Sequence, residues 1–281
     1  MLKLKSLLSE APADDIKKVA SANLAQSVSM LKKLASDPDM QGLLSKGAED
    51  GQPKDEVVKI STANISCTKM FPTQAEIGFG NSLDDMVINK YKVVDTCFKS
   101  PVTIIGPILC AKVGGKIMIL DGHHRWSSCF MINRNAKMVC DILIMPSGKD
   151  AEGALKIMQM AIAAKAGKVL TKDFEGQDLM ASSTEEVENY VVDNMTDEVV
   201  GLFNKYTKGA LPDAAAIATE VGMAHKDIVS MKGKFPRNIM PQADFSGAPQ
   251  GDVNKALSQG SINFDEPFGE GRIQLTKLIG K

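Results

Sequence analysis

The residues best equipped for chemistry lie together in Lys116–Phe130, K-I-M-I-L-D-G-H-H-R-W-S-S-C-F. Ile117 to Leu120 reads as a strand, Asp121-Gly122 as a tight turn, and His123 to Ile132 as a helix with Trp126, Cys129, Phe130 and Met131 on its apolar side. The free N–H groups at a helix start attract anions, and phosphate is the usual guest. Gly122 lets backbone approach that guest closely. His123, His124 and Arg125 place two imidazoles and a guanidinium in the first turn, where cations oppose the helix dipole. A bound polyphosphate resolves that conflict, with Arg125 giving forked hydrogen bonds to its oxygens. Two other readings stay open. A metal would need both histidines, but adjacent helical residues point about 100° apart and do not easily share one ion. Alternatively, one histidine is buried and hydrogen-bonded while the other faces solvent.

The elements that must position this block form three pieces. Residues 1–52 read as an accessory arm: a helical period runs through Ile16, Val19, Leu24, Val28, Leu31 and Leu34, Asp37-Pro38 stops it, and Gly47–Lys54 is a linker. A single amphipathic helix does not fold alone, so it must dock on the body, on another subunit or on a partner. Residues 53–149 read as a compact α+β unit. Val57–Ile60, Val102–Ile105, Ile108–Cys110, Ile117–Leu120 and Met138–Met145 are strand-like. Leu83–Asn89 reads as helical turns, and Gly114-Gly115 as a hairpin turn between apolar runs. Residues 150–234 are helical, over Ala154–Ala166, Glu185–Tyr206 and Ala214–Met231, and residues 235–281 read as an extended tail.

The strand–D-G-H-H-R-W–helix block resembles the signature of the ParB/sulfiredoxin superfamily. Val57–Met145 is similar to that family's domain in size and order of elements, about a third of the chain. Phe71-Pro72-Thr73-Gln74-Ala75-Glu76 resembles the family's P-x-Q-x-E/R stretch, and Pro101-Val102 its entry into the next strand. Sulfiredoxins read G-C-H-R, and His123 stands where their nucleophilic cysteine would be, so sulfinic-acid reduction by that route is lost. Partition proteins read G-E-R-R and bind CTP; Gly122 and Arg125 match that pattern, while His123 and His124 do not. The free-serine kinases of the superfamily carry a D-G-H-x-R-like block, the best match of the three.

The resemblance implies a fold, an α+β small mixed-sheet domain with an N-terminal helix and a helical C-terminal region. It also implies ATP or another NTP with its phosphates on Gly122, His123, His124 and Arg125, and an upstream glutamate as base toward a small hydroxyl substrate. The residues suit phosphoryl transfer or NTP hydrolysis, which needs positioning and charge neutralisation above all. His124 and Arg125 would neutralise, Asp121 would hold Mg²⁺ with waters, and Glu76 would accept a proton. Against these roles, Asp121 is also a natural turn or cap residue and Glu76 a natural loop carboxylate. The lysine-rich start ending in Ser-Glu resembles proteins of marine tailed phages, a likeness of origin only.

DNA is a second candidate partner. In Leu211–Met231, Ala218, Gly222 and Ile228 fit positions 5, 9 and 15 of a helix-turn-helix template, with Gly222 as the turn and Ala224–Ser230 as the reading helix. From His225 to Arg237 four cations stand against Asp227, a local charge of +3. A plain helical hairpin explains the same pattern. A nuclease is disfavoured because no cluster of three or four acids for paired metals is present. A non-enzymatic assembly protein, oligomerising through the N-terminal helix and tail, is the third class.

Composition bounds all of these. The 281 residues carry 33 Lys and Arg against 34 Asp and Glu, with 44% hydrophobic residues, which excludes a disordered polyelectrolyte or a globally basic nucleic-acid coat. No apolar run reaches the ~18 residues of a membrane span, and the N-terminal apolar stretch is too short for a secretory signal, so a cytoplasmic protein is expected. Cys67, Cys97, Cys110, Cys129 and Cys140 contain no C-x-x-C pair, so buried reduced thiols are expected.

Overall fold

A computed structural model of the chain describes residues 59–87, 91–144 and 174–237, together with 151, 152, 155 and 240. All belong to one compact unit, Val57–Leu155 with Thr171–Pro241. The N-terminal helix and linker, the Ala154–Ala166 helix apart from Leu155, and the tail beyond Arg237 and Met240 lie outside the described residues.

The described unit is α+β, a five-stranded mixed sheet with six helices. The strands are β1 (Lys59–Ser66), β2 (Met70–Pro72), β3 (Ile108–Val113), β4 (Lys116–Asp121) and β5 (Lys137–Ile144), in the order β1-β5-β3-β4-β2. β5 runs antiparallel to β1 and parallel to β3; β4 runs antiparallel to β3 and parallel to β2. Central β3 is buried over Ile108–Ala111. β1 starts in the expected apolar run but continues through the polar S-T-A-N-I-S, because a strand at the sheet edge needs few apolar side chains. Its Thr62 donates to Asp141 on β5 at 2.8 Å. Gly114 (φ 53°) and Gly115 (φ 82°) form the β3–β4 hairpin turn, where two positive φ values suit the strand twist.

Val102–Ile105 is not a strand. Only Val102 makes a bridge, to Met138, and Ile104 is 52% exposed. The two prolines flanking this segment, Pro101 and Pro107, remove N–H donors that a ladder would need.

The helices are α1 (Phe79–Val87), α2 (Tyr91–Lys99), α3 (His123–Ile132), α4 (Thr184–Asn194), α5 (Asp197–Tyr206) and α6 (Ala214–Met231). α3 is buried almost all round, from Trp126 through Ile132, and Trp126 donates its indole N–H to the Cys67 carbonyl at 3.1 Å. Burying a side chain such as Phe130 contributes about 1.5–3 kcal/mol. The Glu185–Tyr206 period divides into two helices. Ser183 opens α4 with a reciprocal capping box to Glu186, and Thr196 ends the run by capping α5.

Two of the three C-terminal helices, α4 and α5, meet the helices of the sheet domain through aromatic contacts. Phe98 of α2 meets Phe203 edge-on at 5.3 Å and stacks on Tyr206 at 5.0 Å, and Phe79 of α1 meets Tyr190 edge-on at 5.2 Å. Asp213 caps α6, which then runs unbroken to Met231. The expected turn at Gly222 is therefore absent. Gly222 lies mid-helix against Glu188 of α4, and Ala224, His225 and Ile228 of the expected reading helix are buried. Small size for close helix packing, not turn geometry, accounts for this glycine. No helix among the described residues is long and apolar enough to cross a membrane. All five cysteines are reduced and buried, as expected.

Candidate functional site

β4 delivers Asp121 to the sheet's end, and Gly122 turns the chain into α3 with φ 102° and ψ 24°, the left-handed conformation that glycine adopts without strain. Arg125 folds back over this turn. A Cβ on Gly122 would stand 2.9 Å from Arg125 Nη2 and 2.6 Å from Ile108 Cδ1, so glycine is required twice, for conformation and for space. The guanidinium donates from Nη1 to the carbonyls of Ile105 (3.0 Å) and Pro107 (2.9 Å), and from Nη2 to Asp121 Oδ2 (3.1 Å). Arg125 thus fastens the irregular 105–107 segment to the turn. Both members of the Asp121–Arg125 pair are about one-third exposed (33% and 28%), so the pair itself contributes at most about 1 kcal/mol.

His123 points the other way, into the protein, and is 3% exposed. Its Nε2 accepts from the main-chain N–H groups of Thr73 (3.1 Å) and Gln74 (3.2 Å). Thr73 Oγ1 donates to the Ile119 carbonyl at 2.5 Å, which leaves Nε2 an acceptor and puts the ring proton on Nδ1. Burial, reinforced by the charges of His124, Arg237 and Arg125, pushes the His123 pKa down to about 3. The ring is neutral at physiological pH. Of the two histidines, this is the buried, hydrogen-bonded one, and it joins the P-T-Q-A-E stretch to the D-G-H-H-R turn.

His124 lies across the start of α1. A Cβ on Gly78 would be 3.0 Å from its Cε1, and the Asn81 amide is beside the same point. Below it, Ser127 donates to Ser82 at 2.8 Å and Ser82 to the Gly78 carbonyl at 2.8 Å, which locks the first turns of α1 and α3 together. Two helix starts therefore meet at His124.

Glu76 sits on the loop that His123 grips, and a C-terminal strap engages it. Lys234 and Phe235 both donate main-chain N–H groups to the Thr73 carbonyl (2.8 and 2.9 Å), and Ala75 returns one to Phe235 (2.8 Å). Arg237 then donates its main-chain N–H to Glu76 Oε2 at 2.9 Å and its Nη1 to Gln74 Oε1 at 3.2 Å. Gln74 also bonds the Glu76 carbonyl through its side-chain amide. A Cβ on Gly233 would overlap the Gln74 carbonyl, so only glycine permits the strap to lie this close.

The fold thus brings Asp121, Gly122, His123 and Arg125 to one turn and sets His124 at its edge. Glu76 is on the adjoining loop, held by Arg237. Among the described residues no three His, Cys, Asp or Glu side chains converge as a metal cage. Sequence reasoning missed Thr73, Gly78, the Ile105 and Pro107 carbonyls, and Arg237. Thr73 lies inside the F-P-T-Q-A-E stretch and Gly78 two residues beyond it, but nothing local in K-G-K-F-P-R announces its return to residue 73. The arrangement presents a glycine-capped helix start with no acid in its first turn, flanked by an arginine and a histidine, which is chemistry suited to an anion. Compared with family models, curated proteins and solved structures, the chain matches none of them.

Proposed function

We propose that the β4–α3 turn is the phosphate subsite of a nucleotide-binding protein of the ParB/sulfiredoxin type, taking ATP or another NTP with Mg²⁺. The turnover we assign to it is phosphoryl transfer to a small hydroxyl substrate, or hydrolysis. The observation that carries this reading is the start of α3: Gly122 in the left-handed conformation, no acidic side chain in the first turn, and Arg125 folded over the turn. Three of the five guanidinium N–H donors are engaged by protein, which leaves two for ligand oxygens. His123 contributes no charge to the ligand; its part is to hold the Thr73–Glu76 loop against the turn. His124 stands where a phosphate oxygen above the two helix starts would need a donor. Mg²⁺ fits as an ion held by phosphate oxygens and waters with Asp121 as its one protein carboxylate, since Mg²⁺ keeps most of its water. Its chemistry there is neutralisation of phosphate charge. Glu76, next to Gln74 on the gripped loop, is the candidate base.

The test is isothermal titration with ATP, ADP and CTP, each with Mg²⁺, against wild type and Arg125→Ala. Charge-assisted hydrogen bonds are worth about 1.5–3 kcal/mol, so the variant should bind at least ~10-fold more weakly. Arg125→Lys, which keeps the charge but loses the fork, should fall between the two. An unaltered dissociation constant refutes the site. CTP-selective binding redirects the reading to a partition-type protein, and no nucleotide binding leaves the assembly-protein alternative. DNA recognition through a turn at Gly222 is not proposed, because α6 is continuous there.

A further inference from the structure

We propose that Cys97 and Cys129 are a redox-sensitive pair, two thiols poised to become a disulfide that ties α2 to α3. Their sulfurs are 3.3 Å apart, and both residues are fully buried. Asn133 holds the two helix ends together: its side-chain amide donates to the Cys97 carbonyl at 3.0 Å, and its main-chain N–H donates to the Cys129 carbonyl at 2.9 Å. Both backbones are thus anchored to one residue. Closing the sulfurs to a bond of about 2.05 Å asks for a displacement of roughly 1.3 Å, within reach of side-chain rotation.

Cys140 has several neighbours, the Cys110 side chain, the Met70 sulfur at 3.8 Å and the Met138 carbonyl at 3.5 Å, so Cys110–Cys140 is the pair against which the test must discriminate. In the reaction two S–H bonds break and one S–S bond forms. Two electrons and two protons pass to a two-electron oxidant such as an azo dicarboxamide, whose N=N becomes a hydrazine. Because both thiols are covered, the rate follows local opening at the C-terminal end of α2. α3 begins at the His123–Arg125 turn, so oxidation would fasten the helix that carries that turn, whatever ligand the turn takes.

The experiment uses the full chain and diamide. The native protein is oxidised, freed of reagent, unfolded, alkylated and mapped by mass spectrometry. Three of the five thiols should be alkylated, with a Cys97–Cys129 linked peptide two hydrogens lighter than the separate peptides and released by dithiothreitol. Cys67→Ala should keep the linked peptide, and Cys97→Ala should abolish it. The wild-type map decides the matter if Cys97→Ala does not fold. The proposal is overturned if all five thiols remain alkylated at a dose that oxidises the unfolded chain, or if the bond maps to another pair or joins two chains.

Discussion

His123→Gln should flatten the acid limb of the stability profile. The buried imidazole accepts two main-chain N–H groups at one nitrogen, and protonating it would set donor against donor. Its pKa is pushed from the ordinary 6.5 to about 3 in the folded protein. Between those values the unfolded chain binds the extra proton and the native state does not, so stability rises with pH there. His123 therefore contributes fully above about pH 6.5, and its contribution is lost as the pH falls toward 3. The limiting slope is about 1.4 kcal/mol per pH unit, and the loss between pH 8 and pH 5 is about 2 kcal/mol. With an m-value near 2 kcal/mol/M that is a urea midpoint shift of about 1 M. Glutamine keeps an acceptor but carries no titrating group. The assay is urea unfolding of wild type and His123→Gln at pH 8, 6.5 and 5. The variant should be less stable at pH 8, because it loses ring packing, but its midpoint should move about 1 M less on acidification. Parallel profiles for the two proteins would refute the assignment of a neutral, buried His123.

Two glycine substitutions separate backbone conformation from packing. Gly122→Ala forces a side chain onto φ 102° and into Ile108 and Arg125, so urea unfolding should show a loss of more than about 1 kcal/mol; an unchanged midpoint would mean the turn is not built this way. Gly222→Ala suits the helical backbone and gains up to about 1 kcal/mol of helix propensity, but its Cβ comes within 2.9 Å of Glu188 Cγ, so Glu188 must turn aside and the net loss should be smaller than at Gly122; a loss as large as that of Gly122→Ala would mean that Glu188 cannot yield.

The block that drew attention in the sequence was legible because its signals are local. Asp121-Gly122 before a helical period, and Gly114-Gly115 between apolar runs, each specify backbone geometry within a few residues, and both elements form where expected. The errors arose where long-range partners decide. Val102–Ile105 has strand-like side chains but no neighbour to pair with beyond the single bridge at Val102. The Gly222 pattern suits a turn, yet packing against Glu188 explains it. His123 and His124 are adjacent in sequence and chemically identical, and their different environments are set by Thr73 and Gly78, some 45–50 residues earlier. The α+β class followed from periodicity; the strand order and the engagement of Glu76 by Arg237 did not, because each depends on pairings over long sequence separations.

That last engagement also fixes an order of assembly. Glu76 waits for a partner 161 residues further along the chain. At about 5–20 residues per second, a ribosome needs roughly 8–32 s to make the intervening segment. The sheet and α3 can pair their strands and bury Trp126 during that interval, since all their residues precede position 145. The loop bearing Thr73, Gln74 and Glu76 cannot gain its strap until Lys234–Arg237 have emerged. The region around the turn is thus among the last parts of the unit to be completed, and a chain that stops short of α6 ends without it.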